Sequence, residues 1–232
     1  MPRIPNIIFG ARFLTPDKVA GKRIVDVGAC DFNGSIRPLL ESYGPAEYIG
    51  VDVLEGPSVD RVMDANNLVA EFGSDSFDIV ICMEMMEHTP DWRKSLSAIK
   101  GVCKPGGVIV MTTPALGHPY HGYPDDYWRY SEDDWRTLFQ DCEVLAVETD
   151  PTGPGTCAFV RKPENFHEAD LSQVQLHSMV AGERITSLQP VHWDSKNFKK
   201  VKIQQFLANT GRDCFLAMGR SFKKILGLSG KS

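Results

Sequence analysis

The 232-residue sequence predicts an α/β protein built on an open, doubly wound, mostly parallel sheet. Three observations carry that prediction. Short apolar runs of strand length alternate with helical stretches, the pattern of parallel strands joined by crossover helices. The first such run ends at Val27 and passes through a loop bearing Gly28 and Gly34 into a helix. The last two runs are separated only by the turn DPTGPG, Asp150 to Gly155, which makes them an antiparallel pair.

The strands are expected at Arg23–Val27, Glu47–Val51, Arg61–Met63, Phe77–Met83, Gly107–Thr112, Glu143–Glu148 and Cys157–Arg161, giving a seven-stranded sheet. Gly34-Ser35 opens the first crossover helix, with Pro38 in its first turn and Gly44 to stop it. Thr89, Pro90 and Asp91 read as N-cap, first-position proline and first-turn acid of a helix that runs toward Cys103 and stops at Lys104-Pro105-Gly106-Gly107. Ser131 followed by Glu132, Asp133 and Asp134 resembles a capping box. Beyond Pro163 the alternation ends. The chain therefore divides into an N-terminal helical segment or lid (1–20), a ligand-binding domain (21–162) and a mainly helical, basic extension (163–232).

With 42% hydrophobic and 24% charged residues, the composition is that of a globular protein with one well-buried core. The sequence has no run of apolar residues long enough to span a bilayer, and MPRIPNIIFGARFL lacks a secretory pattern. Six scattered cysteines without a C-x-x-C pair fit reduced thiols and a cytoplasmic setting. Charge is uneven: Val191 to Ser232 holds nine Lys and Arg against Asp194 and Asp213, +7, leaving −12 for the rest. Within that tail, Phe215, Leu216, Met218, Phe222, Ile225 and Leu226 mix with Arg220, Lys223 and Lys224. Such a helix can contact an anionic membrane, but packing on the acidic domain or at a homodimer interface is the expectation.

Ligands of an open parallel sheet bind beyond the carboxyl ends of its strands. The Gly28–Gly34 loop, Asp52 and Asp64 all fall there. A dinucleotide needs the backbone amides of G-x-G-x-x-G for its pyrophosphate, whereas a sulfonium nucleoside carries no phosphate. Gly28-Ala29-Cys30-Asp31-Phe32-Asn33-Gly34 lacks the second glycine and sets Asp31 where a pyrophosphate would sit, so an anion is disfavoured and a cation welcome. Asp52, 24 residues past Gly28, suits two ribose hydroxyls. Asp64 suits either an adenine amine or the N-cap of the helix that follows. Met83, Met85 and Met86 read as adaptable core filling or as a soft lining beside the sulfonium.

IVDVGACDFNGS, YIGVDVLEGPSVD, VMDANNL, FDIVICMEMMEHTPDW, VCKPGGVIVMTTP and HGYPDDYWRYSEDDWRTLF follow one another in an order and spacing that resemble the class I S-adenosylmethionine-dependent methyltransferases, most of all the methyltransferase-domain group acting on small molecules or glycans. The resemblance covers about residues 20–162. It implies a Rossmann-like fold with S-adenosylmethionine as cofactor. It places Asp26, Gly28, Ala29 and Gly34 around the methionine part, Asp52 with Val53 at the ribose, and Asp64 with Ala65 at the adenine. Met83, Glu84 and the Glu87-His88 pair then fall beside the methyl group. Ala29 and Cys30 depart from the commoner G-x-G of that group.

Methyl transfer is an in-line displacement that needs alignment above all, and a general base only where the acceptor is a weak acid such as a hydroxyl. PALGHPYHGYPDDYWRY, after the fifth strand, holds aromatic walls and polar groups suited to an acceptor. His118, His121 and Asp125 are the catalytic candidates; surface or structural histidines are the alternative. Trp128 and Arg129 are expected to pack and pair so as to fix this loop, and Glu87-His88 to brace it. No metal site is expected, because His118, His121 and the neighbouring aspartates match no ligand spacing. Nucleic acid is not expected as substrate: no Asn/Asp-Pro-Pro-aromatic segment follows the fourth strand, and no Pro-Cys dipeptide lies near it. The expected function is methyl transfer to a small-molecule or sugar acceptor, chiefly O-methylation. A catalytically silent module engaging a partner through the basic tail is the alternative, and an NAD(P)-dependent oxidoreductase lacks its fingerprint.

Overall fold

The structure, a computed structural model, describes residues 4–32, 34–122, 125–207 and 210. Among the described residues ten strands form in chain order: β1 (Arg23–Val27), β2 (Glu47–Asp52), β3 (Arg61–Val62), β4 (Phe77–Met83), β5 (Cys103–Pro114), β6 (Trp128–Arg129), β7 (Glu143–Thr149), β8 (Gly155–Arg161), β9 (Leu176–Ser178) and β10 (Arg184–Ile185). Seven of them make one sheet in the order β3-β2-β1-β4-β5-β8-β7. Its first four pairings are parallel, and β8 runs antiparallel to both β5 and β7. The seven expected strands are all present. β1 and β4 keep their expected bounds, because an apolar run buried on both faces leaves little choice of register.

Helices α1 (Ile4–Phe13), α2 (Pro16–Val19) and α3 (Arg37–Glu41) cover one face of the sheet, and α4 (Leu68–Phe72), α5 (Trp92–Val102) and α6 (Glu132–Leu138) the other. Phe13 of α1 stacks on Phe159 of β8 at 4.5 Å. Gly10 lets α1 come close to Met83, for a Cβ there would lie 2.8 Å from its Cε. α1 is thus packed beside the carboxyl end of β4.

Three local expectations are corrected. Asp91, not Thr89, caps α5, its side chain accepting from the Lys94 amide; the Thr89 hydroxyl instead donates to the Met86 carbonyl. The first crossover helix starts at Arg37, because Gly34 and Ser35 spend their polar groups closing the loop before it. The extension is not mainly helical over its described length. Residues 196–207 are helical, but β9 and β10 precede them in a small sheet, β10-β9-β6. β9 pairs with β6 through Trp128↔Ser178 and Arg129↔His177, so its backbone is satisfied by the acceptor loop rather than by a helix. The Arg93 guanidinium of α5 adds hydrogen bonds to the carbonyls of Leu171, Ser172, Val174 and Thr186.

The capping box is present, with Ser131 accepting from the Asp134 amide and Asp134 accepting from the Ser131 amide. Cys30, Cys82, Cys103 and Cys142 carry free thiols. Among the described residues no helix is long and apolar enough to cross a membrane. The Phe215–Leu226 tail helix and Cys214 lie outside the described residues.

Candidate active site

Two clefts meet at Gly28, beyond the carboxyl ends of β1, β2 and β4. One, of about 250 Å³, is lined by Asp26, Gly28, Ala29, Gly34 and Met83 with Cys30, Ser35 and Ile36. The other, of about 600 Å³, is bounded by Gly28, Asp52, Val53, Asp64, Ala65 and His88. Of the cofactor residues expected from the sequence, all but Glu84 line one of the two. Glu84 is buried at the end of β4 with φ +55°, its amide donating to the Thr112 carbonyl.

The loop is tight for a reason. Gly28 has φ +82°, and a Cβ there would lie 2.6 Å from the Cβ of Met85, so no other residue fits. The amides of Gly28 and Ala29 both donate to the Val51 carbonyl, tying the loop to β2. Asp31 accepts from the Gly34 amide at 2.7 Å and thereby closes the turn with a carboxylate. A pyrophosphate would meet that negative charge, so the site suits a nucleoside without phosphate.

Asp52 fits the ribose end. Its two oxygens accept from the Cys30 amide at 3.1 Å and the Leu54 amide at 3.0 Å, which fixes the carboxylate and leaves each oxygen a further lone pair for a hydroxyl. Asp64 accepts from the Asn66 amide at 2.8 Å as the N-cap of a short 3-10 turn, Ala65–Asn67, while also forming cleft wall. Asp26 fits a cationic amino group. Burial pushes its carboxyl up to about 6 against the hydrogen bond donated by the Tyr48 hydroxyl at 2.7 Å, so a neighbouring ammonium would be stabilised by it. The chemistry of the two clefts thus fits S-adenosylmethionine, offering carboxylates to an ammonium and to ribose hydroxyls.

On the far side of His88 the β5–β6 loop builds a second cluster. Arg129, fully buried, grips both oxygens of the fully buried Asp126 and donates to the carbonyls of His118 and Pro119. This is the loop-fixing role expected of it. Trp128, also fully buried, donates its indole N–H to the Thr89 carbonyl at 2.9 Å. Asp126 in turn lies 2.8 Å from His121 Nδ1. The His121 ring sits 4.8 Å from that of His118 and 5.0 Å from that of His88, centroid to centroid. Behind them Glu87 is completely buried, its Oε1 3.6 Å from Nε2 of both His88 and His121.

His118 and His121 are therefore brought together, but Asp125 does not join them through its carboxylate. That group accepts from the Tyr120 hydroxyl at 3.0 Å and from Lys202 Nζ at 2.9 Å, while the Asp125 carbonyl bonds His88 Nδ1 at 2.7 Å. The acid that meets His121 is its neighbour, Asp126. Burial alone would lower His121, yet the neighbouring carboxylates of Asp126 and Glu87 outweigh that and lift the imidazole to about 9. Against burial, Arg129 and His121 hold Asp126 well below the carboxylate range. Two buried acids thus gather positive charge on one loop, a pairing that sequence reading missed because Glu87 and His121 stand on different loops.

The profile of the methyltransferase-domain family matches residues 9–164. Curated relatives include the ubiquinone biosynthesis O-methyltransferase of Hahella chejuensis, 34% identical over 106 residues, covering 40% of this chain and 43% of that protein. The protein of the same name from Stutzerimonas stutzeri is 32% identical over 108 residues, covering 41% and 45%. The chain spans less than half the length of these relatives. Among solved structures, a 1,6-didemethyltoxoflavin-N1-methyltransferase from Burkholderia thailandensis, with bound 1,6-didemethyltoxoflavin and S-adenosylhomocysteine, superposes with TM-score 0.55 at 16% identity over 69% of this chain and 77% of that one. An S-adenosylmethionine dependent methyltransferase from Mesorhizobium loti gives 0.51 at 17% identity over 68% and 98%. At such identities the structures speak for the fold, and the family profile, which spans well over half of the residues, carries the membership. The chain belongs to the methyltransferase-domain family, whose cofactor is S-adenosylmethionine.

Proposed function

We propose that the protein transfers a methyl group to a hydroxyl of a small molecule, with His118 and His121 at the acceptor and Asp125 as a positioning residue. The observation that carries this reading is the juxtaposition at His88: one side of the residue lines the nucleoside cleft, and its ring stands 5.0 Å from His121 in the acceptor loop. S-adenosylmethionine, when bound, supplies a methyl group on a sulfonium. The chain's own work is then alignment. Asp52 and Asp26 hold the donor's two ends, while Met83 and α1 keep water from one side. Such positioning is worth up to roughly 7–11 kcal/mol of barrier. The His118–His121 pair can orient an acceptor, and Asp125 keeps His88 in place through its carbonyl. O-methylation is favoured over other acceptors by the polar loop and by the names of the relatives; a sugar hydroxyl is a second acceptor of the same chemistry.

The test is a thermal-shift titration with S-adenosylhomocysteine, with NAD⁺ as control, followed by mass spectrometry of phenolic and sugar acceptors incubated with S-adenosylmethionine. At about 100 times its Kd the ligand should add ~2.7 kcal/mol of stability, and Asp52→Ala should abolish that shift. A shift with NAD⁺ alone would overturn the cofactor reading. Binding without methylation of any hydroxyl in the panel would favour the silent-module alternative.

A further inference from the structure

We propose that Glu87, His88 and His121 form a binding site for a divalent first-row transition-metal ion. Among the described residues they are the group of ligating side chains whose donor atoms, one per residue, all lie within 4.8 Å of one another. Oε1 of Glu87 is 3.6 Å from each imidazole Nε2. That is too long for N–H···O hydrogen bonds, which cluster near ~2.9–3.0 Å. It is close to the ~3.4 Å that separates ligand atoms placed tetrahedrally at ~2.0–2.2 Å from one ion.

The surroundings of the three atoms point the same way. Glu87 is 0% exposed, and neither of its carboxylate oxygens has a hydrogen-bond partner. A buried carboxylate left in that state is costly unless a cation reaches it. His88 Nδ1 is hydrogen-bonded to the Asp125 carbonyl at 2.7 Å, and His121 is held to the Asp126 carboxylate, itself clamped by Arg129, through its backbone amide at 3.0 Å, with its ring Nδ1 2.8 Å away. This holds each ring in place; to ligate an ion each Nε2 must be unprotonated, so the proton on His121 leaves as the ion enters. The two ring centroids lie 5.0 Å apart with the planes at 75°.

Donor chemistry selects the ion. Two imidazoles and one carboxylate suit Zn²⁺, Mn²⁺, Fe²⁺ or Co²⁺, whereas Ca²⁺ and Mg²⁺ prefer oxygen alone. The imidazoles are 21% and 32% exposed while the carboxylate is enclosed, so the ion's remaining positions face outward. There it would hold an acceptor oxygen and acidify its hydroxyl, a role that rests on the methyl-transfer reading; binding of the ion does not. The sequence hid the site because His121 stands 33 residues after His88.

The test uses the full chain, stripped with chelator and titrated with Zn²⁺ by calorimetry, with Co²⁺ absorption as a second probe. One ion per chain is expected. Glu87→Gln and His121→Ala should each weaken binding at least about 10- to 100-fold, since changes merely in outer-shell partners already cost that much. His167→Ala, an exposed histidine after β8, should leave it unchanged. The thermal shift with S-adenosylhomocysteine checks that each variant is folded. Zn²⁺ binding that survives both ligand substitutions, or no binding by a stripped wild type that still responds to S-adenosylhomocysteine, overturns the proposal. Site-specific Zn²⁺ binding without any nucleoside response upholds it and strikes the methyl-transfer reading instead.

Discussion

At the amino ends of the strands each buried lysine has its acid: Lys100 meets Asp141 at 2.7 Å and Lys162 meets Asp75 at 2.7 Å, with the half-buried Lys104 on Asp78 at 2.9 Å. At the carboxyl ends, Asp26 is partnered by a tyrosine hydroxyl, and Glu87 has only two imidazoles at a distance. The first edge closes its own charges and serves the fold. At the second, Arg129 and Lys202 answer Asp126 and Asp125, while Asp26 and Glu87 are left to a hydroxyl and two imidazoles, which leaves room for what a sulfonium amino acid or a metal ion brings. Within one sheet, the balance of buried charge separates architecture from receptor.

The sharpest way to break this contrast is at the closed edge. Lys100→Ala strands Asp141 in the interior and should cost about 3–5 kcal/mol in urea unfolding, while Lys100→Met with Asp141→Leu should recover most of it. A loss near zero would mean that the closed edge is not closed. Next comes Asp26. Its folded pKa of about 6 lies above the ordinary carboxyl value, so its contribution to stability is full below about pH 4 and drains away as pH rises to about 6. Asp26→Asn should flatten that slope and leave the ligand-free protein on the order of 1–2 kcal/mol more stable near pH 8, with weaker S-adenosylhomocysteine binding. Melting curves that respond identically to pH in both proteins would remove Asp26 from the open edge. The smallest effect belongs to Ser131→Ala, which removes the cap of α6. It should cost about 1 kcal/mol of stability and leave nucleoside binding unchanged in calorimetry, marking a polar group at the open edge that serves only the fold.

The frame was legible because its signals are local. Ile24–Val27 and Ile79–Met83 are runs that can only be central strands, and Gly28, Asp52 and Asp64 follow from their places at the carboxyl ends of β1, β2 and β3. The acceptor side was legible in composition but not in pairing. Asp125 and Asp126 are adjacent and chemically alike, and the path of the loop decides between them, set by the buried Arg129 reaching back to the His118 and Pro119 carbonyls. Thr89 and Asp91 are both good caps, and competition for the Thr89 carbonyl by Trp128 chose the second. β9 is three residues long and lies between β10, a few residues on, and β6, nearly fifty residues back; the second pairing is not visible in any short window of sequence.

Asp125 faces two ways, its carbonyl toward His88 and its carboxylate toward Lys202 of the 196–207 helix. The sheet ends at Arg161, and a module excised there would carry both clefts with it. It would also leave behind the ammonium that steadies the residue from which His88 hangs. Two borders therefore run through this protein, one drawn by topology near residue 162 and one drawn by chemistry some forty residues later. A graft, a fusion or a gene rearrangement that respected only the first would inherit a binding site without its workbench.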